Sequence, residues 1–187
     1  MDLANKKIGI FGIQGSGKTH LARELLKGFR APFIYRITGD FDNLDNAVIF
    51  KQTDKYLDLD LFLDTAKRLG QNGKIDALVL DEADLFLTES RINQGLMNEL
   101  ILMHRHFNLA FILISRAPQD IPRKVFESCH YIINFKLDAP LVKRKFEDLH
   151  EDYKVLMPQL DFNRHNFIIK ELGMPPRLFA PVAELQQ

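Results

Sequence analysis

Short apolar runs bounded by turn-forming residues recur along the chain and predict buried strands. Runs of this length between turn signals are typical of strands in the interior of a sheet. The runs are Lys7–Phe11, Phe33–Ile37, Ala47–Phe50, Ala77–Leu80, Phe111–Ile114, Tyr131–Phe135 and Phe167–Ile169.

Apolar residues at helical spacing separate several of these runs. One predicted helix carries Leu21, Leu25, Leu26 and Phe29, the next Leu59, Phe62, Leu63, Ala66 and Leu69, and the third Ile92, Leu96, Leu100, Met103 and Phe107. Asp138 before Ala139-Pro140 predicts an N-cap and a first-turn proline, opening a helix through Lys143, Phe146, Leu149 and Tyr153. The alternation of strands and helices predicts an α/β fold with a central, mostly parallel sheet.

Length and composition favour one domain. A chain of 187 residues that is 46% apolar and 27% charged is large enough for one substantial core, so we expect a single domain over residues 1–187, with 174–187 as an arm. The sequence contains neither a long uncharged apolar stretch nor a signal-peptide pattern, so a cytoplasmic, soluble protein is expected. A single cysteine, Cys129, excludes internal disulfides.

The chain has no overall excess of basic residues. The 25 basic and 25 acidic residues leave a formal net charge of zero, which neither indicates nor excludes nucleic-acid binding, because a few cations concentrated at one place suffice for it. The run Lys143-Arg144-Lys145 is interpreted as solvated surface, with contact to a phosphate backbone as the alternative.

A glycine-rich loop follows the first predicted strand and precedes the first predicted helix. The stretch FGIQGSGKTH, residues 11–20, fills the template G-x-x-x-x-G-K-[ST], in which glycines let backbone N–H groups wrap a phosphate chain. Lys18 is expected on the outer phosphates and the Thr19 hydroxyl on a bridging Mg²⁺. The predicted nucleotide-binding residues are Gly12, Gln14, Gly15, Ser16, Gly17, Lys18, Thr19 and His20.

Two adjacent carboxylates follow the predicted strand in the stretch ALVLDEADLFL, residues 77–87. This pattern is typical of a Walker B element. Asp81 is expected to hold the Mg²⁺, and Glu82 to orient and deprotonate the water that attacks the γ-phosphate. A base beside the γ-phosphate favours hydrolysis over transfer to a small-molecule acceptor, which requires that water be excluded.

The segment HRHFNLAFILISRAPQDIP, residues 104–122, resembles the stretch in HerA/FtsK-type ATPases where an arginine-bearing helix end leads into the sensor strand and a Pro-x-Asp-Ile turn. With GIQGSGKT and LVLDEAD, the resemblance covers three motifs in order. It implies a P-loop NTPase fold of the RecA/HerA-FtsK type. At 187 residues the chain is expected to hold only the motor core, without the extra domains of many cellular members, and it is similar in size to the A32-like genome-packaging ATPases of membrane-containing viruses.

The resemblance also implies two further arginine roles. Arg105 occupies the position of the arginine that such proteins insert into the adjacent subunit's site. At the end of the sensor strand the family usually has a polar residue followed by Gln, whereas this chain has Ser115-Arg116. Arg116 is expected near the γ-phosphate. One alternative is that Arg116, like Arg105, acts in the site of an adjacent subunit, and the other is that Ser115 alone remains as the polar contact.

Together these features predict an ATPase that binds ATP·Mg²⁺ between the subunits of a homo-oligomeric ring, a hexamer or pentamer, and moves double-stranded DNA. A capsid or membrane protein is a further expected partner. Two alternatives remain at this point. One is a small-molecule or nucleoside kinase, and the other is an ATP-binding assembly or secretion switch related to phage zonula occludens toxin.

Overall fold

The computed structural model of the chain describes residues 3–36, 41–42, 44–51, 57–87, 98–101, 104–138 and 140–181. Eight strands in these ranges form one sheet: β1 (Lys7–Phe11), β2 (Pro32–Arg36), β3 (Val48–Lys51), β4 (Ala77–Leu80), β5 (Ala110–Ser115), β6 (Tyr131–Asn134), β7 (Phe167–Glu171) and β8 (Arg177–Phe179). The helices are α1 (Lys18–Leu26), α2 (Leu57–Gln71), α3 (Arg123–Glu127), α4 (Pro140–Glu147) and α5 (Tyr153–Leu156).

The strands lie in the order β3-β2-β4-β5-β1-β6-β7-β8. The first six in this order are parallel, β7 pairs antiparallel with β6, and β8 pairs antiparallel with β7. We call the edge at which the six parallel strands end the carboxyl edge and the edge at which they begin the amino edge. The expected α/β fold with a mostly parallel sheet is confirmed.

Alternate side chains of each strand enter two separate cores, because successive strand residues point to opposite faces. In β5, Phe111 and Leu113 join the larger core with α2, α3 and α4, whereas Ile112 and Ile114 join the smaller core with α1. Both faces of the parallel strands are therefore covered, which explains why they are apolar at nearly every position.

The seven predicted strands are present, with boundaries that differ by one or two residues and with Ile37 outside the described residues. The expected arm contributes to the sheet of its own chain, because Arg177–Phe179 pairs with β7 as β8. Residues 182–187 lie outside the described part. No helix among the described residues combines the length and apolar character that a membrane span requires.

Two predicted helices differ from the structure. Residues 98–101 of the third are helical, but His104–Phe107 forms a 3-10 turn, and Ile92, Leu96 and Met103 lie outside the described residues. The helix expected from Asp138 through Tyr153 is two helices, α4 and α5. Between them the His150 Nδ1 atom accepts the backbone N–H of Asp152 at 3.3 Å, a local bond that competes with continued helix.

Gly70 marks the closest approach of α2 to the segment before β5. A Cβ atom placed on Gly70 would lie 2.9 Å from Leu109 Cδ1 and 3.1 Å from the carbonyl oxygen of Phe107. Alanine favours a helix interior over glycine by about 1 kcal/mol, but forcing atoms into a packed contact costs about 1–3 kcal/mol. We therefore expect Gly70→Ala to lower the free energy of unfolding, measured by urea denaturation.

The exposed Arg68, two residues before Gly70 on α2, provides the matched control. Among the described residues, its side chain makes a surface ion pair with Asp64, so Arg68→Ala is expected to change the unfolding free energy by less than about 0.5 kcal/mol. A Gly70→Ala protein as stable as the Arg68→Ala protein would contradict the tight contact.

Candidate nucleotide-binding site

The glycine-rich loop lies at the carboxyl edge between β1 and α1 and is anchored to both neighbouring strands. The Gly12 N–H donates to the carbonyl of Ser115 at the end of β5 (3.3 Å), and the Ile13 N–H donates to the carbonyl of Lys136 beyond β6 (3.1 Å). The loop also closes on itself, through the Ser16 N–H and the Ile13 carbonyl (3.2 Å). These bonds fix the path of the loop across the end of β1.

Glycine is required at three points of this path. A Cβ atom at Gly12 would lie 2.6 Å from Ser16 Oγ and 2.8 Å from Phe135 Cβ, closer than side chains pack. Gly15 and Gly17 have φ angles of +75° and +100°, a region that other residues rarely adopt. The spacing of glycines seen in the sequence thus reflects both close packing and backbone conformation.

The inner surface of the loop has the donor set of an anion site. In the described part of the chain, the backbone N–H groups of Gly15, Gly17, Lys18 and Thr19 have no acceptor, and the buried Ser16 hydroxyl also has no partner. The last two amides belong to the first turn of α1, where the helix dipole favours negative charge. The loop therefore fits a phosphate chain.

Lys18 is buried and folds back onto the loop. Its Nζ atom donates to the carbonyl of Ile13 at 2.9 Å. Burial lowers the pKa of Lys18; the nearby carboxylate of Glu82 opposes this shift, and the charge of Arg116 adds to it. A cation held this close to the loop and to the carboxylates is placed to contact the outer phosphates. His20 is exposed on α1.

Asp81 and Glu82 follow β4 at the same carboxyl edge, two strands away from the loop in the order β4-β5-β1. Asp81 is buried, and its backbone N–H donates to the carbonyl of Tyr35 at 3.2 Å. Glu82 has a left-handed backbone, with φ +50° and ψ +47°, which starts a 3-10 turn over Ala83–Leu85. The turn keeps Asp84, the next carboxylate along the chain, within hydrogen-bond distance of Arg116.

Arg116 links the loop to the acidic strand end. Its Nε atom donates to Glu82 Oε2 at 2.8 Å, and a terminal nitrogen donates to Gln14 Oε1 at 3.4 Å. Its backbone N–H donates to Asp84 Oδ1 at 3.3 Å. The structure thus brings Gln14, Lys18, Asp81, Glu82 and Arg116 together at one edge of the sheet.

Thr19 and Asp81 supply the oxygen ligands that Mg²⁺ prefers, a hydroxyl and a carboxylate. Thr19 is in the first turn of α1, and Asp81 is the buried member of the acidic pair. Both residues lie at the carboxyl edge, and both Asp81 and Glu82 are close enough to Lys18 to influence its pKa. This donor set fits a magnesium ion bound together with a triphosphate.

Arg105 lies at the opposite edge. It belongs to the 3-10 turn that precedes β5, is exposed, and contacts His130 Nε2. His130 precedes β6, and its Nδ1 atom accepts the backbone N–H of Lys7 at the start of β1 (3.0 Å). Because five strand residues span about 16 Å, Arg105 cannot reach the phosphate loop of its own chain.

Sequence reasoning missed several residues that shape the site. Lys145, expected on the solvated surface with Lys143 and Arg144, is half-buried and donates to the carbonyls of Pro118 and Ile121, at 2.8 and 2.5 Å. It thereby holds the turn that follows Arg116, while its two neighbours are exposed as expected.

Phe162 and His165, far away in sequence, pack beside the phosphate loop. No local sequence pattern indicates these contacts.

The parallel sheet, the phosphate loop and the acidic end of β4 define a P-loop NTPase. A family model described as an AAA domain matches residues 5–118, more than half of the 187-residue chain, and the protein therefore belongs to the AAA domain family. The match includes the phosphate loop and the acidic strand end. No curated protein sequence matches the chain.

Solved structures share the fold over almost the whole chain. The genome packaging NTPase B204 from Sulfolobus turreted icosahedral virus 2, in complex with sulfate, superposes with a TM-score of 0.79 at 16% identity, covering 97% of this chain and 98% of that one. The pCW3 conjugation coupling protein TcpA gives a TM-score of 0.62 at 14% identity, covering 96% of this chain and 61% of that one. The cytoplasmic domain of the Type VII secretion ATPase EccC of Thermomonospora curvata gives a TM-score of 0.65 at 14% identity, covering 94% of this chain and 25% of that one.

Proposed function

We propose that the protein is an ATPase that hydrolyses ATP in the presence of Mg²⁺ and uses the energy to move double-stranded DNA in genome packaging or transfer. The ATPase activity is inferred mainly from one observation. The phosphate loop and the Asp81-Glu82 pair lie at the same edge of the sheet, and Arg116 bonds to both. Glu82 favours hydrolysis over the alternative kinase reaction, because a carboxylate beside the phosphate site can act as a base for water.

The reaction follows from the positions of these groups. The loop amides and Lys18 bind the β- and γ-phosphates, and Mg²⁺ held by Thr19 and Asp81 would neutralise charge on the phosphate oxygens. Water attacks the γ-phosphorus, its proton passes to Glu82, and the bond to the β–γ bridging oxygen breaks to release ADP and phosphate. Glu82 is 14% exposed at its side chain, so water can reach it from one side.

Arg116 has two anionic partners in this scheme. Its guanidinium is bonded to Glu82 and is 44% exposed, which leaves its remaining N–H groups free to face a γ-phosphate next to Gln14. A charge-assisted bond to the phosphate stabilises the negative charge that develops there. We therefore assign Arg116 the sensor role in place of the usual Gln.

Arg105 is assigned to the site of a neighbouring subunit. A ring in which the amino edge of one subunit meets the carboxyl edge of the next brings Arg105 to a triphosphate that its own chain does not bind. The amino edge also carries several basic side chains close together, since the charges of Arg105 and Lys124 add to the effect of burial in lowering the pKa of Lys7. Such an edge complements the carboxylates and phosphates of the opposite edge.

The DNA substrate is proposed by analogy with two structural neighbours. One is described as a genome packaging NTPase and another as a conjugation coupling protein, and both have the fold of this chain. A packaging motor of this kind would also dock on a capsid or membrane protein.

The test is steady-state phosphate release, measured with and without duplex DNA over a range of protein concentrations. We expect turnover per subunit to rise with protein concentration as rings form, and to rise further with duplex DNA. Phosphate release that depends on a nucleoside acceptor would instead identify a kinase. Turnover that changes neither with DNA nor with protein concentration would support the ATP-binding assembly or secretion switch and contradict the DNA-moving ATPase.

A further inference from the structure

An exposed aromatic turn lies beside the phosphate loop. A Cβ atom placed on Gly15 would lie 3.3 Å from Phe162 Cζ, and one placed on Gly17 would lie 3.6 Å from His165 Cβ. Both rings are exposed, Phe162 to 40%, and their centroids are 6.0 Å apart. The position of Phe162 beside the phosphate site, and not its exposure alone, makes its open ring face a candidate contact for a ligand.

The turn is held in a fixed conformation. The Asn166 side chain accepts the Asp161 N–H at 2.7 Å and donates to the Gln159 carbonyl at 2.9 Å, while Asp161 Oδ1 accepts the Asn163 N–H at 2.8 Å. His165 has a left-handed φ of +51°. The polar side chains of the turn are thus used to shape it, and the two rings remain available for contact.

The rings lie on the nucleoside side of the loop. Gln14 faces Arg116 and Glu82 on the β5 and β4 side, where the γ-phosphate must meet the base. Phe162 and His165 precede β7, which lies on the other side of β1, beyond β6. A triphosphate laid along the loop with its γ end at Glu82 therefore directs its nucleoside toward the two rings.

We propose that Phe162 and His165 form the platform that binds the nucleobase of the nucleotide. The proposal rests on the proposed function, since it presumes a nucleoside triphosphate on the loop. Stacking on an aromatic ring tolerates different bases, because every base offers a flat π face. The pre-formed turn also avoids the cost of ordering the rings when the nucleotide binds.

Calorimetry with Mg·ATP and with magnesium tripolyphosphate, which has no base, separates the platform from the phosphate loop. Phe162→Ala is expected to weaken ATP binding about 5-fold or more and to leave tripolyphosphate binding unchanged, since base stacking accounts for that loss. Phe162→Tyr keeps a ring and is expected to bind ATP like the wild type. Equal ATP affinity in Phe162→Ala and the wild type would overturn the proposal.

A fluorescence experiment also separates nucleobase binding from phosphate binding, and it keeps an aromatic ring at position 162. The chain contains no tryptophan, so F162W carries a single one, and ATP is expected to quench it while tripolyphosphate does not. L172W is the control, because Leu172 is 61% exposed and its N–H bonds to the His130 carbonyl at the amino edge. Equal responses of F162W to the two ligands would overturn the platform, whereas a wild-type protein that binds neither ligand would overturn the proposed function itself.

Discussion

Glu82→Gln is expected to retain nucleotide binding and to lower steady-state ATP turnover by about 100- to 10,000-fold, the contribution of a positioned general base. The amide has the size of the carboxylate and can still accept the Arg116 N–H that Glu82 Oε2 accepts at 2.8 Å. It cannot take a proton from water at neutral pH. The loop and Lys18 are unchanged, so calorimetry should give an ATP affinity close to that of the wild type.

Asp84 provides the matched control, as a third carboxylate at the same edge, after Asp81 and Glu82. Its Oδ1 atom accepts the backbone N–H of Arg116 at 3.3 Å, and the amide in Asp84→Asn can accept the same bond. We expect turnover within about a few-fold of the wild type, because no proton transfer is assigned to Asp84. If Asp84→Asn lost as much turnover as Glu82→Gln, or if Glu82→Gln kept more than a tenth of it, Glu82 would not be the base.

The part of the fold predicted best from sequence is the buried parallel sheet, because its strands are apolar on both faces and bounded by turn residues. β8 could not be found in this way. It has three residues, Arg177–Phe179, in a proline-containing tail, and an edge strand tolerates prolines and polar side chains. The break between α4 and α5 coincides with a side-chain bond in which His150 accepts the Asp152 N–H, and apolar periodicity does not detect such a bond.

The loop and the acidic strand end were predictable because their chemistry fixes residue types at short spacing. Their meeting at one edge follows from parallel strands, whose carboxyl ends share an edge. The contacts of Arg116, Lys145 and Phe162 join segments that are distant in sequence, and they depend on how each turn packs. Sequence alone therefore predicted the phosphate loop and the acidic strand end, but not the contacts made by the residues that surround them.

Arg105→Ala is expected to lower DNA-stimulated turnover by about 1,000-fold or more, the usual contribution of an arginine that enters a neighbouring phosphoryl-transfer site. The side chain is exposed at the amino edge and is bonded within its own chain only to His130, among the contacts of the described residues. Its removal should leave the fold and the ATP affinity of an isolated subunit intact. Arg105→Lys should recover little, since an ammonium lacks the planar donor pair of a guanidinium.

Arg123 is a suitable control because it is also an exposed arginine, paired with Glu127 on α3. Arg123→Ala is expected to keep turnover within about two-fold of the wild type, as for other surface ion pairs. A similar loss in both variants would indicate a general effect of surface charge and would contradict a specific role for Arg105.

Rings that contain both Arg105→Ala and Glu82→Gln subunits decide whether Arg105 acts across the interface. An active interface needs Glu82 from the subunit that holds the nucleotide and Arg105 from its neighbour, and random mixing in equal amounts restores this pair at about a quarter of interfaces. Co-purified mixed rings should therefore hydrolyse ATP well above either parent, up to about a quarter of the wild-type rate. An arginine acting within its own chain would leave every Glu82→Gln subunit without a base and every Arg105→Ala subunit without its cation, so the mixed rings would be as inactive as their parents.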